Sequence, residues 1–169
     1  MEETQQEKNQ EIGEGLSGKY LTFHLGDESY GLGILKVQQI IHMQDITAVP
    51  KTPDFIAGVI NLRGKVIPVI ELRRKFDMDK IKYTDDTVII VVQVERGDER
   101  LIMGVIVDGV KEVLEVERDN IERTPAFGTA VDTAFILGVA KIEEKVVMLL
   151  DIDKILSPKE IEAVSDISE

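Results

Sequence analysis

Ile56-Ala57-Gly58-Val59-Ile60-Asn61-Leu62-Arg63-Gly64-Lys65-Val66-Ile67-Pro68-Val69-Ile70-Glu71-Leu72 reads as strand, tight turn, strand. Asn61 and Gly64 supply the turn chemistry, Gly64 because it takes positive φ without steric cost, and Arg63 is then displayed at a hairpin tip. The unit recurs eighty residues later. Phe55-Ile56-Ala57-Gly58-Val59 returns as Phe135-Ile136-Leu137-Gly138-Val139, and residues 65–72 return without a gap as Lys145-Val146-Val147-Met148-Leu149-Leu150-Asp151-Ile152. Upstream, at an offset of 73, Gly31-Leu32, Ile34, Val37 and Ile40-Ile41 recur as Gly104-Val105, Val107, Val110 and Val113-Leu114. The second tip, Lys141-Ile142-Glu143-Glu144-Lys145, keeps the strands but not the Asn, Arg and Gly. A repeated scaffold with an unrepeated tip suggests a role for the first tip beyond folding, the alternative being that Arg63 is simply a soluble turn residue.

Working outward, each repeat begins with a strand candidate, residues 20–25 in the first and 87–94 in the second, and turn signals sit at 25–29, 63–64, 95–99 and 143–144. Each unit then holds four to five short strands, a pattern that favours small antiparallel barrels. Such barrels are too small to bury a large core alone and are expected to pack together. A single sandwich of two related sheets is the structural alternative. The expected organisation is an acidic flexible tail over 1–18, a first β-barrel repeat over 19–83, a second over 84–156 and a short C-terminal helix and tail over 157–169. Strands crossing between the barrels are compatible with it. Ser157-Pro158-Lys159-Glu160 is a capping box with Pro at the first helical position. Thr52-Pro53-Asp54-Phe55 has the chemistry for one helical turn, and 112–122 reads as a charged connector or helical turn.

Composition agrees with a mainly β protein. Val and Ile number 40 against 20 for Leu and Ala, and β-branched side chains favour sheets. Of 169 residues, 43% are hydrophobic and 31% charged, which suits a compact domain and excludes a wholly disordered chain. No charge-free run exceeds eight residues, and the first ten residues lack the basic start and apolar stretch of a secretory signal, so a cytoplasmic protein without membrane insertion is expected. The net charge of −12 disfavours nucleic acid and anionic membrane as ligands. It is uneven: 19–83 carries +3 and 84–156 carries −8, while both ends are acidic and read as solvated tails. The Arg73-Arg74-Lys75 cluster reads as a solvated strand end or turn.

Little in the chain supports catalysis. There is no cysteine, which removes disulfides, thiolate nucleophiles and Cys-ligated metals, and there are two histidines, His24 and His42, both expected on strands in structural or exposed roles. No serine lies in a nucleophile elbow. Gly31-Leu32-Gly33 resembles half of a phosphate loop, but its flanks read as strand, and the copy at Gly104 favours close strand approach instead. Asp77-x-Asp79 and Asp151-x-Asp153 lack the loop of a calcium site, and the second pair, aligned with Glu71 of the first repeat, reads as a solvated strand end. No cofactor, metal or catalytic residue is assigned.

The run Val49-Pro50-x-x-Pro53-x-Phe55-Ile56-x-Gly58-Val59-x-Asn61-Leu62-Arg63-Gly64-x-x-Ile67-Pro68-Val69 resembles the CheW family of chemotaxis coupling proteins, which includes the regulatory domain of the CheA histidine kinase. Tyr30-Gly31, the 34–41 stretch and Leu149-Leu150-Asp151-Ile152 add to the likeness, which covers roughly 18–156. The resemblance implies two five-stranded SH3-like β-barrels packed side by side. It also implies a non-catalytic adaptor that couples transmembrane chemoreceptors to the CheA kinase, cytoplasmic and recruited to receptor arrays at the inner face of the membrane. Its implied partners are the regulatory domain of CheA and the cytoplasmic hairpin tip of a chemoreceptor. The family's functionally sensitive arginine falls on Arg63, flanked by Asn61 and Gly64, and apolar groove positions fall on Val37 and Val66. An acidic residue usual in the family is Gln39 here, which can accept a hydrogen bond from Arg63 but cannot neutralise it. The competing readings are a fragment of a larger protein, either the kinase regulatory domain or a coupling domain fused to a phosphoryl receiver, and an enzyme using the cleft between lobes.

Overall fold

A computed structural model describes residues 16–122 and 135–168, with side chains to 165. Among the described residues, eleven strands form two sheets: β1 (Gly18–Leu25), β2 (Glu28–Gly33), β3 (Val37–His42), β4 (Ile56–Leu62), β5 (Lys65–Glu71), β6 (Val88–Arg96), β7 (Glu99–Val107), β8 (Gly109–Val116), β9 (Ile121–Glu122), β10 (Ile136–Ile142) and β11 (Lys145–Leu150). Helix α1 is a single turn, Leu72–Lys75, and α2 is the C-terminal helix, Pro158–Ser168. One sheet runs β8-β1-β2-β11-β10-β9 and the other β3-β6-β7-β5-β4. The first has six strands rather than the expected five because the two-residue β9 pairs with β10.

Strands cross between the halves of the sequence. The β1–β2 hairpin is flanked by β8 and β11, and the β6–β7 hairpin by β3 and β5. Both new junctions with the β4–β5 and β10–β11 units are parallel, β2 with β11 and β7 with β5. Under the repeat β2 corresponds to β7 and β5 to β11, so the exchange is reciprocal. The five-stranded sheet is the continuous stretch 37–107, inserted between β2 and β8 of the other.

Each sheet is apolar on both faces, which is why the strands read as near-continuous Val and Ile rather than alternating. On β6, Ile89 and Val91 face a core with Ile60, Ile67, Val69 and Ile106. Val88, Ile90, Val92 and Val94 face a larger core shared with Phe23, Leu25 and Leu32 of the opposite sheet. The six-stranded sheet has its own inner core of Tyr20, Val116, Ile121, Ala140, Val147 and Leu149. Two small inner cores thus flank one shared core.

The repeated glycine has a steric reason. A Cβ on Gly104 would lie 2.6 Å from Ile89 Cγ2 and 3.3 Å from a Val69 methyl; one on Gly31 would lie 3.2 Å from a Leu149 methyl. In each sheet the glycine of one repeat faces the residue at the Val69/Leu149 position of the other. These glycines serve close packing, as the reading against a phosphate loop expected.

The C-terminal residues are not a solvated tail. Helix α2 buries Ile161 and Val164 in the shared core, and its capping box forms: Ser157 N–H donates to Glu160 Oε1 at 2.7 Å and Glu160 N–H to Ser157 Oγ at 3.2 Å. Residues 1–15 of the expected N-terminal tail lie outside the described residues, but Leu16 already packs against an inner core, and its carbonyl accepts the Tyr20 hydroxyl at 2.6 Å. The expected connector at 112–122 is largely strand: β8 runs to Val116 and one 3₁₀ turn follows at Arg118–Asn120. The Thr52-Pro53 segment makes a turn, closed by Ile56 N–H to Pro53 C=O at 3.0 Å, and not a helix.

The basic cluster is corrected most. Arg73 is buried: its Nε and Nη2 bond Asp108 Oδ1 and Oδ2 at 2.8 and 2.5 Å, and Nη1 donates to the Asp79 carbonyl at 3.0 Å. Arg74 pairs with Asp54, and Lys75 bonds both oxygens of Glu160 at 2.8 and 2.7 Å. Runs of charge read as solvated because partners distant in sequence are invisible to a local pattern.

Candidate protein-binding surface

The β4–β5 hairpin closes with the two-residue turn Arg63-Gly64, φ 53° and 86°, the paired positive values of a type I′ turn whose twist suits a hairpin. Asn61 Oδ1 accepts the Gly64 N–H at 2.8 Å and locks the turn. The Arg63 backbone is thereby fixed at the tip, and its side chain is exposed. The second hairpin keeps this frame, with Ile142 paired to Lys145 across Glu143-Glu144.

Beneath the tip lies a hollow of about 520 Å³, lined by Gln38 and Gln39 of β3, by Arg63, Lys65 and Val66 of the hairpin, and by Arg100 of β7. A register shift between Val37 and Gln39 on β3 turns the two glutamines toward it. Arg63 Nη2 approaches Gln39 Oε1 at 3.5 Å, the outer limit of a hydrogen bond. Among the described residues, three cations line the hollow and no acidic residue does. Glu95 reaches Arg100 at 3.6 Å, both side chains exposed. Val66 is 49% exposed and also borders a second hollow with Asn61 and Thr47. The structure therefore brings Arg63, Gln39, Asn61, Gly64 and Val66 together. Val37 stands apart, its side chain packed against the shared core.

Behind this surface, the linker between β5 and β6 is pinned by Tyr83, whose hydroxyl donates to Glu71 Oε2 at 2.6 Å. Burial pushes the Glu71 carboxyl up; the Tyr83 bond and the positive charges of Lys80 and Arg73 act against this, Asp108 with it. A carboxyl raised in the folded state contributes stability that is complete below its unfolded pKa and is lost as pH rises through its folded value. Glu71→Gln keeps an acceptor for Tyr83 and removes the buried charge. Its melting temperature is expected to match wild type near pH 4 and to exceed it at pH 7–8; a lower value at pH 7 would mean that the ionised carboxylate is net stabilising.

Elsewhere, Asp151 and Asp153 are not solvated strand ends. Asp153 pairs with Lys36 at 2.8 Å and accepts the Glu95 N–H at 2.8 Å, while Asp151 Oδ1 accepts the Asp153 N–H at 3.0 Å. Among the described residues, no group of three or more His, Cys, Asp or Glu comes together, and no helix is long and apolar enough to cross a membrane. A wider cavity of about 880 Å³, with Tyr30, Phe76, Phe135 and Met148 in its walls beside charged groups such as Glu28 and Lys154, has no local signature in the sequence, since its walls come from five separate segments.

Fold and hollow together define a class: a duplicated, hairpin-exchanged β protein that presents turn-mounted side chains on a shallow surface. The CheW-like domain family matches residues 19–160. The chain is 38% identical over 157 residues to chemotaxis protein CheW of Klebsiella aerogenes, covering 93% of this chain and 92% of that one. To chemotaxis protein CheW of Thermotoga maritima it is 32% identical, covering 80% and 85%. The crystal structure of scaffolding protein TtCheW from Thermoanaerobacter tengcongensis superposes with a TM-score of 0.75 at 36% identity, covering 86% of this chain and 96% of that one. The chain belongs to the CheW family.

Proposed function

We propose that this protein is a non-catalytic adaptor of chemotaxis signalling. It couples the cytoplasmic hairpin tip of transmembrane chemoreceptors to the regulatory domain of the CheA histidine kinase, in the cytoplasm at receptor arrays. Family membership over nearly the whole described fold supports the role. The observation that carries the site is the Arg63 tip: a cation fixed in a type I′ turn over a hollow whose other charged walls are Lys65 and Arg100. Such a surface fits a partner presenting carboxylates around an apolar centre, here facing Val66. Each lobe of the fold is expected to be an SH3-like barrel, with Val37 supporting the surface from behind.

Arg63→Glu is expected to weaken binding of the kinase regulatory domain or the receptor hairpin by about ten-fold or more, equivalent to about 1.4 kcal/mol. The melting temperature should stay nearly unchanged, because an exposed turn residue adds little to the core. Calorimetric titration against each partner separately at two salt concentrations reads this out. Unchanged affinity for both would remove Arg63 from the site, and binding to neither partner by the wild-type chain would overturn the adaptor reading.

A further inference from the structure

At each place where the chain passes between the sheets, an ion pair holds an exchanged hairpin. At the first, Asp108, between β7 and β8, takes Arg73 from the end of β5 and also accepts the Gly26 N–H of the β1–β2 turn at 2.7 Å. At the second, Asp153, after β11, takes Lys36 from the end of the β2–β3 link and accepts the N–H of Glu95 near the β6–β7 turn. By the repeat, Asp153 stands where Arg73 does, eighty residues on, and Asp108 stands where Leu35 does, next to Lys36. The two pairs are quasi-equivalent, with their signs inverted.

That inversion matters for the alternative fold. Both hairpins could dock within their own repeat, β2 beside β5 and β7 beside β11, because the repeats share the apolar pattern and the facing glycine. In the exchanged fold Lys36 meets Asp153 and Arg73 meets Asp108. In the unexchanged fold, the same positions would set Lys36 against Arg73 and Asp108 against Asp153, cation on cation and anion on anion. We propose that Lys36, Arg73, Asp108 and Asp153 form a charge code that selects the exchanged strand pairing over the unexchanged one. The two sockets share an apolar pattern and differ in side-chain size, a weaker discriminator than like charges brought together at partly buried positions.

The test separates selection from simple stabilisation. In Lys36→Asp/Asp153→Lys, both native pairs stay attractive. The unexchanged pairs become attractive too, because the new carboxylate at position 36 would face Arg73 and the new ammonium at position 153 would face Asp108. The full chain is diluted from urea at low micromolar concentration, and monomer yield and refolding rate are followed by size exclusion and fluorescence of an apolar dye. The double variant is expected to melt within a few degrees of wild type, yet to lose monomer yield by roughly two-fold or more or to gain a slow phase. The control reversal Lys141→Glu/Glu122→Lys, an exposed pair on β10 and β9 away from both crossings, is expected to refold as wild type. Wild-type refolding of the crossing variant, or equal loss in the control, overturns the proposal. Should the reversed pair lower the melting temperature substantially, the neutral Lys36→Gln/Asp153→Asn variant is read against a core-truncated variant of the same melting temperature: a lower yield than that variant supports the code and an equal yield overturns it.

Discussion

Asp108→Ala is expected to destabilise the protein by about 3–5 kcal/mol, the cost of leaving a buried charge without its counter-ion. The side chains of Arg73 and Asp108 are 10% and 12% exposed, so water compensates little. Removal also breaks the bond from the Gly26 N–H, loosening the β1–β2 turn from the crossing. Against a typical total of about 5–15 kcal/mol, such a loss brings the fold near its limit. Urea denaturation with an unchanged slope reads it out, and a shift under about 1 kcal/mol would show that Arg73 finds solvent. Burial alone would raise the Asp108 carboxyl, but bonds from Arg73 and Gly26, with the positive charges of Arg73 and His24, hold it below the usual range. A depressed carboxyl contributes stability that is present above its unfolded pKa and lost as pH falls through its folded value, so Asp108→Asn should flatten the acid limb below about pH 4.

Leu149→Ala is expected to cost about 2–5 kcal/mol, toward the upper end. Leu149 is fully buried in the smaller inner core, opposite Gly31, which has no side chain to relax into the space. The surrounding Tyr20, Val116 and Val147 are held on paired strands, so the cavity stays open. Val146→Ala, three positions earlier and 53% exposed, should change stability by less than about 0.5 kcal/mol. Thermal or urea unfolding of the pair checks both the burial and the register of β11; equal effects would contradict the strand assignment.

The hairpin around Arg63 is fully legible in the sequence because its chemistry is local: two apolar runs joined by an Asn and a Gly within four residues. The duplication is legible because two motifs recur at fixed offsets, and two related β units follow from it. What escapes is long-range. Arg73 and Asp108 are 35 residues apart in sequence, and Lys75 and Glu160 are 85 apart, so a charge-run reading can only assign them to solvent. The resemblance gives Val37 and Val66 as groove positions; Val37 lies half-buried against the shared core, beside a register shift that turns Gln38 and Gln39 toward the hollow. Strand exchange cannot be read at all, since the repeats offer the β1–β2 hairpin two sockets of the same apolar pattern.

The exchange has a consequence during synthesis. The five-stranded sheet is one uninterrupted stretch and can close as soon as β7 has emerged from the ribosome. The β1–β2 hairpin is made first but must wait for β8 and β11, at least 75 residues later in the chain. At about 5–20 residues per second this is a delay of roughly 4–15 s with both edges of the hairpin open. During that interval the parallel partner within reach of β2 is β5. Lys36 and Arg73, both already translated, then repel each other at the one moment when a wrong docking would be easiest.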